Sequence, residues 1–257
     1  MKKILHLFGI LTLVLISSCS KDDNTESETS DTNSVLLKKV VSKYGTNELT
    51  SVFTYNGNKL TTVNYSDGDS YSFTYTGDLI TKIEYFEKNV LSEKDLYTYD
   101  SQGNLVTEIR IEGSYGHRTE YIRNSDGTIS YNGYYGDVTS QKTFSTKGKL
   151  YFSNGEIIKN ESSDTAGSST YEDVVTYSYD TKNNPYKNIT GFDKIAISES
   201  FNDLFDDLES GITHNLLKEE WTSFNKLEDT TTCTYIYDSN GFPKTSIVDG
   251  TSFQYFY

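Results

Sequence analysis

Tyr97-Thr98-Tyr99-Asp100-Ser101-Gln102-Gly103-Asn104-Leu105 is the stretch whose reading decides the fold. Two aromatic residues separated by one position put both rings on the same side of an extended chain. Asp and Gly tolerate the backbone conformations that a tight reversal between twisted strands requires. Leu105 then opens a returning strand rich in β-branched residues, so the unit reads as a β-hairpin. It recurs along the chain. Earlier copies are Phe53-Thr54-Tyr55-Asn56-Gly57-Asn58-Lys59-Leu60 and Phe73-Thr74-Tyr75-Thr76-Gly77-Asp78-Leu79. Degraded copies start at Tyr121 and Phe144, and later ones are Tyr177-Ser178-Tyr179-Asp180 and Tyr235-Ile236-Tyr237-Asp238-Ser239-Asn240-Gly241. The first five begin 20 to 24 residues apart.

One hairpin cannot bury its apolar face alone, so neighbouring copies must lie side by side. The expected fold class is all-β, an antiparallel up-and-down meander of roughly 14 strands. Its edges must be hidden, and both a curled sheet and a closed barrel satisfy that requirement. Strict alternation through the strand after Gly103 places Leu105, Thr107, Ile109 and Ile111 on one face, with Val106, Glu108, Arg110 and Glu112 on the other. The rhythm breaks between Tyr177 and Tyr235. There, Phe201, Leu204, Phe205 and Leu208 sit at helical spacing, with Ser198 or Ser200 as a cap and Gly211 as a stop. A short amphipathic helix is expected near 199–210, plugging or lidding an open end of the sheet, with partner binding as its alternative role.

The first 18 residues have a different character. Lys2 and Lys3 precede the apolar run Ile4–Ile16, and small residues follow in Ile16-Ser17-Ser18-Cys19. This is the layout of a secretory signal peptide. Thirteen residues at about 1.5 Å each fall short of the roughly 30 Å hydrocarbon core, so a spanning helix is not expected. The small residues ending on Cys19 resemble the lipobox of bacterial lipoproteins, which implies that Cys19 is the lipid attachment site. Residues 20–33 contain no core-forming side chain and read as a disordered acidic tether. Within it, Ser20-Lys21-Asp22-Asp23 resembles the surface-export signal of Bacteroidetes-type lipoproteins, carried by Lys21, Asp22 and Asp23. The organisation expected is residues 1–18 signal peptide, 19–33 lipidated cysteine and tether, and 34–257 a single repeat-built β domain. The expected location is the outer membrane, through the lipid anchor and exposed on the cell surface, with a periplasm-facing position as the alternative.

The Tyr-Asp-x-x-Gly-x-Leu copies resemble the YD-type repeats of large shell-forming toxins and surface proteins. The whole layout is similar to a Bacteroidetes lipoprotein family of unknown function with a porin-like fold: lipobox, tether, hairpins, an Asn-Pro-Tyr-Lys-Asn segment at 184–188 and a closing aromatic strand. The resemblance implies a fold and a compartment and carries no catalytic residue with it. A membrane-spanning barrel is nevertheless not expected. Strands of about five to eight residues fall short of the 9–11 or so that spanning needs, and Glu108, Arg110 and Glu112 interrupt a would-be lipid face.

Chemistry is sparse. The chain carries a formal charge of −14, two units more negative once Lys2 and Lys3 are removed. That balance disfavours nucleic acid as a partner. No nucleophile elbow, P-loop, dinucleotide fingerprint or zinc motif is present, so no cofactor, metal or catalytic residue is expected. His117 and His214 read as solvated loop residues. Cys233 reads as a small buried strand residue with no partner for a disulfide. Asp67-Gly68-Asp69, Asp100 and Asp238 read as turn formers, and Asp203, Asp206, Asp207 and Glu209 as a solvated helix face. Tyr131, Tyr134 and Tyr135, around Gly133 and Gly136, are the candidate ligand-stacking rings. The reading is a non-enzymatic lipoprotein that binds or scaffolds at the envelope, with glycans or envelope proteins as partners. Its rivals are a glycan-binding module using exposed tyrosines and a glycoside hydrolase with a carboxylate pair.

Overall fold

A computed structural model describes residues 34–164, 171–198, 201, 204 and 211–257. Residues 34–257 belong to one compact unit. Eight strands run up and down in sequence order: β1 (Lys39–Tyr44), β2 (Asn47–Asn56), β3 (Lys59–Tyr65), β4 (Ser70–Thr76), β5 (Leu79–Glu87), β6 (Val90–Tyr99), β7 (Leu105–Glu112) and β8 (Tyr115–Arg123). Eight more continue the meander: β9 (Ile129–Asp137), β10 (Ser140–Ser153), β11 (Glu156–Ser163), β12 (Asp173–Tyr179), β13 (Leu216–Ser223), β14 (Lys226–Tyr237), β15 (Pro243–Val248) and β16 (Thr251–Phe256). β16 pairs antiparallel with β1, from Lys39 opposite Phe256 to Lys43 opposite Ser252, and the sheet closes into a barrel. The all-β meander is therefore as expected, with sixteen strands and no free edge.

The repeat is a hairpin with a built-in irregularity. At its turn Asp100 accepts hydrogen bonds from the backbone N–H groups of Gln102 and Asn104, both at 2.9 Å, while Gly103 takes a φ of 77°. Asp238 does the same for Asn240 and Phe242, so both aspartates are turn formers. Just past the turn one extra residue enters the returning strand. Tyr99 is opposite Leu105, but Thr98 is opposite Thr107. The same shift occurs at Tyr55 opposite Leu60 and at Tyr75 opposite Ile80. Such a bulge re-aims every side chain beyond it. The repeat's second aromatic reaches back to a backbone carbonyl of an apolar residue earlier in the chain. The Tyr99 hydroxyl donates to Ile80 O at 2.5 Å, Tyr55 to Leu37 O at 2.6 Å and Tyr179 to Ile157 O at 2.8 Å. Tyr99 and Tyr179 thereby tie their hairpins to the preceding one, and Tyr55 ties its hairpin to the segment before β1.

The bulge overturns the face assignment in β7. Leu105 points inward, but Glu108 and Arg110 follow it into the lumen, while Thr107, Ile109 and Ile111 turn outward. Glu108 is only 3% exposed. The charged residues expected to interrupt an outer face are interior ones. The strands are also longer than expected, with β10 reaching 14 residues and β14 reaching 12. The outer wall is mixed: Thr50, Thr54 and Thr62, then Ser70, Ser72 and Thr74, and then Lys82, Glu84 and Lys94 point away from the lumen, as do the exposed Val52, Ile122, Ile236 and Ile247.

The turns β2–β3, β4–β5, β6–β7, β8–β9, β10–β11 and β14–β15 share one end with the entry to β1. The long connection from β12 to β13 fills this end. Asn184, fully buried, donates to Gly211 O at 2.6 Å and accepts from Tyr186 N at 2.8 Å. Gly191, at a φ of 83°, leads into α1 (Phe192–Ile195); a Cβ at Gly191 would lie 2.7 Å from Asp78 O. Phe192 sits 6.1 Å from the Phe73 ring, 6.0 Å from Tyr186 and 5.8 Å from Phe201. Ile195 is fully buried, worth about 2–3 kcal/mol of hydrophobic burial. The helix described thus lies before the expected one. Of 199–210 only Phe201 and Leu204 are described, both buried in the core, and the remainder of that expectation lies outside the described residues. The return to β13 is clamped by Glu156, 3% exposed. Its carboxylate accepts from the N–H groups of Ile212, Thr213 and His214, from the Thr213 hydroxyl, and contacts His214 Nδ1 at 3.0 Å. His214 is therefore a tethered residue, not the solvated one its surroundings in sequence imply.

Candidate functional site

The opposite end, where β1–β2, β3–β4, β5–β6, β7–β8, β9–β10 and β13–β14 turn, carries the barrel's unspent chemistry. Register across β4–β9 arranges the lumen-facing side chains in rows. The outermost row reads Tyr71, Tyr85, Glu93, Glu112, Tyr115. The next, one pleat deeper, reads Phe73, Ile83, Asp95, Arg110, His117, Tyr135. Below it stand Tyr97, Glu108, Thr119 and Gly133.

Burial varies along the wall as well as with depth, Asp95 and Tyr135 belonging to one row. Tyr115 and Tyr135 are 75% and 53% exposed, whereas Asp95 is 3% exposed. Arg110 Nε bridges Asp95 Oδ1 at 3.2 Å and Glu93 Oε1 at 3.4 Å. Glu108 accepts from the Tyr121 hydroxyl at 2.9 Å. Burial pushes the Asp95 carboxyl up to about 7; the Arg110 guanidinium opposes the rise, and Glu108 and Glu93 add to it. Burial lowers the His117 pKa, against the pull of Glu108. A Cβ at Gly133 would stand 3.2 Å from His117 Nε2, so the glycine makes room for the imidazole to lie against β9. His117 is thus a lumen residue of β8, contrary to the expectation of a solvated loop position. Among the described residues, no group of three or more His, Cys, Asp or Glu has the arrangement of a metal site.

The three candidate tyrosines are not brought together. Strand alternation sends Tyr134 outward, under the Arg118 guanidinium at 4.5 Å and edge-on to Phe144. Tyr131 points inward and is 6% exposed; its hydroxyl donates to Asn160 at 2.9 Å, and its ring lies over Gly148, where a Cβ would come within 2.0 Å. Only Tyr135 reaches the open mouth, about 13 Å up the strand from Tyr131. Cys19, Lys21, Asp22 and Asp23 lie outside the described residues, as do Asp203, Asp206, Asp207 and Glu209. Cys233 is a buried strand residue, as expected. The acidic wall itself went unread in the sequence. Its signal is the spacing i, i+3, i+5 after each turn, seen in Leu60-Val63-Tyr65, Ile80-Ile83-Tyr85 and Leu105-Glu108-Arg110.

No protein-family profile and no curated protein sequence matches this chain. Solved structures do. A porin-like protein from Bacteroides vulgatus is similar with a TM-score of 0.50 at 16% identity, covering 87% of this chain and 99% of that one. A porin-like protein from Bacteroides uniformis reaches 0.49 at 13% identity, covering 86% and 96%. At such identities the first likeness concerns the fold alone.

Proposed function

We propose that this chain is a lipid-anchored envelope protein whose barrel binds a ligand or partner and conducts nothing. The observation that carries the reading is the division of the barrel's interior. One end is filled by the β12–β13 connection, and the other presents charged and aromatic side chains to solvent. Hydroxyl and charged side chains on β2–β6 interrupt the apolar band that a barrel set in lipid would need there, and this supports Cys19 as the membrane attachment. The low-identity likeness to porin-like proteins agrees with an envelope location.

A hydrolytic use of the mouth has less support. Glu93 and Asp95 share one guanidinium on a single strand, an ion-pair arrangement unlike an acid and a base flanking a bond. Glycan binding retains Tyr115 and Tyr135 as exposed rings.

Membrane fractionation of cells making the wild-type or Cys19→Ala chain tests the anchor. The wild type is expected in the outer-membrane fraction and the variant released from it. Retention of the variant in the membrane, or ion conductance by the purified wild type in a planar bilayer, would contradict the proposal. Protease shaving of intact cells then separates the surface-exposed from the periplasm-facing orientation.

A further inference from the structure

We propose that the mouth between β4 and β9 is a binding site for an organic cation of the linear polyamine class. The inference rests on the mouth being the binding face, and it adds the chemistry of what is bound.

Three independent features point to a cation. First, the two outer rows hold Glu93, Glu112 and Asp95 against a single guanidinium, Arg110, with Glu108 directly beneath; no lysine stands on this face of the rows. Lys88, in the β5–β6 turn at this rim, is engaged by Asp69 at 3.0 Å and Asp67 at 3.7 Å. Glu93 and Glu112 are direct cross-strand partners on the lumen face. Arg110 already lies 3.4 Å from Glu93, and the like charge of Glu112 directly opposite means that a further cation would stabilise the pair. Second, the acids are interleaved with aromatic faces. Tyr135 stands directly opposite His117 and Tyr115 lies two residues along the same strand, both largely exposed, and Tyr71 packs on Tyr85 with centroids 4.8 Å apart. Ring faces beside carboxylates suit an alkylammonium, whose charge meets the quadrupole while its methylenes cover the ring. Third, the Thr119 hydroxyl, on a residue 1% exposed, has no hydrogen-bond partner among the described residues, and it faces the lumen between Glu108 and Gly133. An ammonium supplies the donor that this oxygen lacks.

A linear amine fits better than a compact ion. The acids are spread over two strands and two pleats, about 5–7 Å apart, which matches spaced charges on a flexible chain. A second copy of this protein, equally acidic, and an anionic lipid surface are both disfavoured by like charge.

Calorimetric titration of the full-length protein in detergent with spermine, at low and high salt, tests the site. Binding is expected at low salt, weakening about tenfold or more as salt rises past physiological strength. Glu112→Gln should weaken binding about three- to fivefold while the melting temperature stays level or rises, because a like-charge contact is removed. Tyr115→Ala and Tyr135→Ala should each weaken it about two- to fivefold. Glu228→Gln, which removes a rim carboxylate paired with Lys226, should bind as the wild type does. Absence of spermine binding, or equal weakening by Glu228→Gln and Glu112→Gln, would overturn the proposal. Binding of a neutral oligosaccharide lost on Tyr115→Ala, with no spermine binding, would overturn the cation while leaving the mouth as the binding face.

Discussion

Asp95 is a carboxyl placed where water scarcely reaches, and its one cation, Arg110, is shared with Glu93. Its pKa near 7 in the folded chain stands well above the 3.8 of the unfolded one. The folded state therefore holds the proton more tightly between those values, and stability falls as pH rises through that window. A gap of this size corresponds to a loss on the order of 4 kcal/mol once the pH is well above 7. His117 acts in the opposite sense. Its folded pKa lies below 6.5, so its contribution is present at higher pH and lost as pH falls through that region. Asp95→Asn should accordingly flatten the decline in melting temperature between pH 5 and pH 8. At pH 8 the variant should melt at least as high as the wild type. An unchanged slope, with the variant melting lower at every pH, would show that Asp95 is held ionised.

Among the elements, the connection from β12 to β13 is held by few but well-satisfied contacts. Glu156 gathers the backbone of residues 212–214, and Asp180 accepts from Asn215 and from the Tyr237 hydroxyl. Replacing Glu156 by Gln removes the charge from a buried acceptor of several donors, a loss of about 1–3 kcal/mol. Its effect should be local. Hydrogen exchange at residues 211–215 is expected to accelerate while β2–β7 remain protected; uniform acceleration along the chain would mean that the connection is integral to the barrel's cooperativity. At this scale the sequence was legible in part. Asp100, Gly103 and Asp238 announced their turns because the turn chemistry is local. The bulge after each turn did not announce itself, because alternation presumes one residue per pairing. One inserted residue reversed β7 and hid Glu108 and Arg110 from view as lumen groups. The acidic wall exists only through register between β6, β7 and β8, which no single strand encodes. The segment at 184–188 stands out in the sequence as a motif, yet its role as a buried plug emerges only from Asn184 and Tyr186 meeting residues far along the chain.

For the whole molecule, the question left open by the repeats was whether the meander closes. Sixteen strands running up and down bring β16 back to β1, and the seam between them is as regular as any internal pair. Closure removes both edges at once, and it gives the mouth a continuous wall. Without it the plugged end would open along one side and the lumen rows would meet solvent from the flank. Val41 and Gln254 are register partners across the seam, and Val41 and Thr50 are partners across the adjacent β1–β2 pair. In a background lacking Cys19 and Cys233, oxidation of the Val41→Cys, Gln254→Cys chain tests closure directly. The closed barrel predicts an intrachain crosslink formed as efficiently as in the Val41→Cys, Thr50→Cys control. Crosslinking of the control with none across the seam would contradict closure and leave the protein an open sheet.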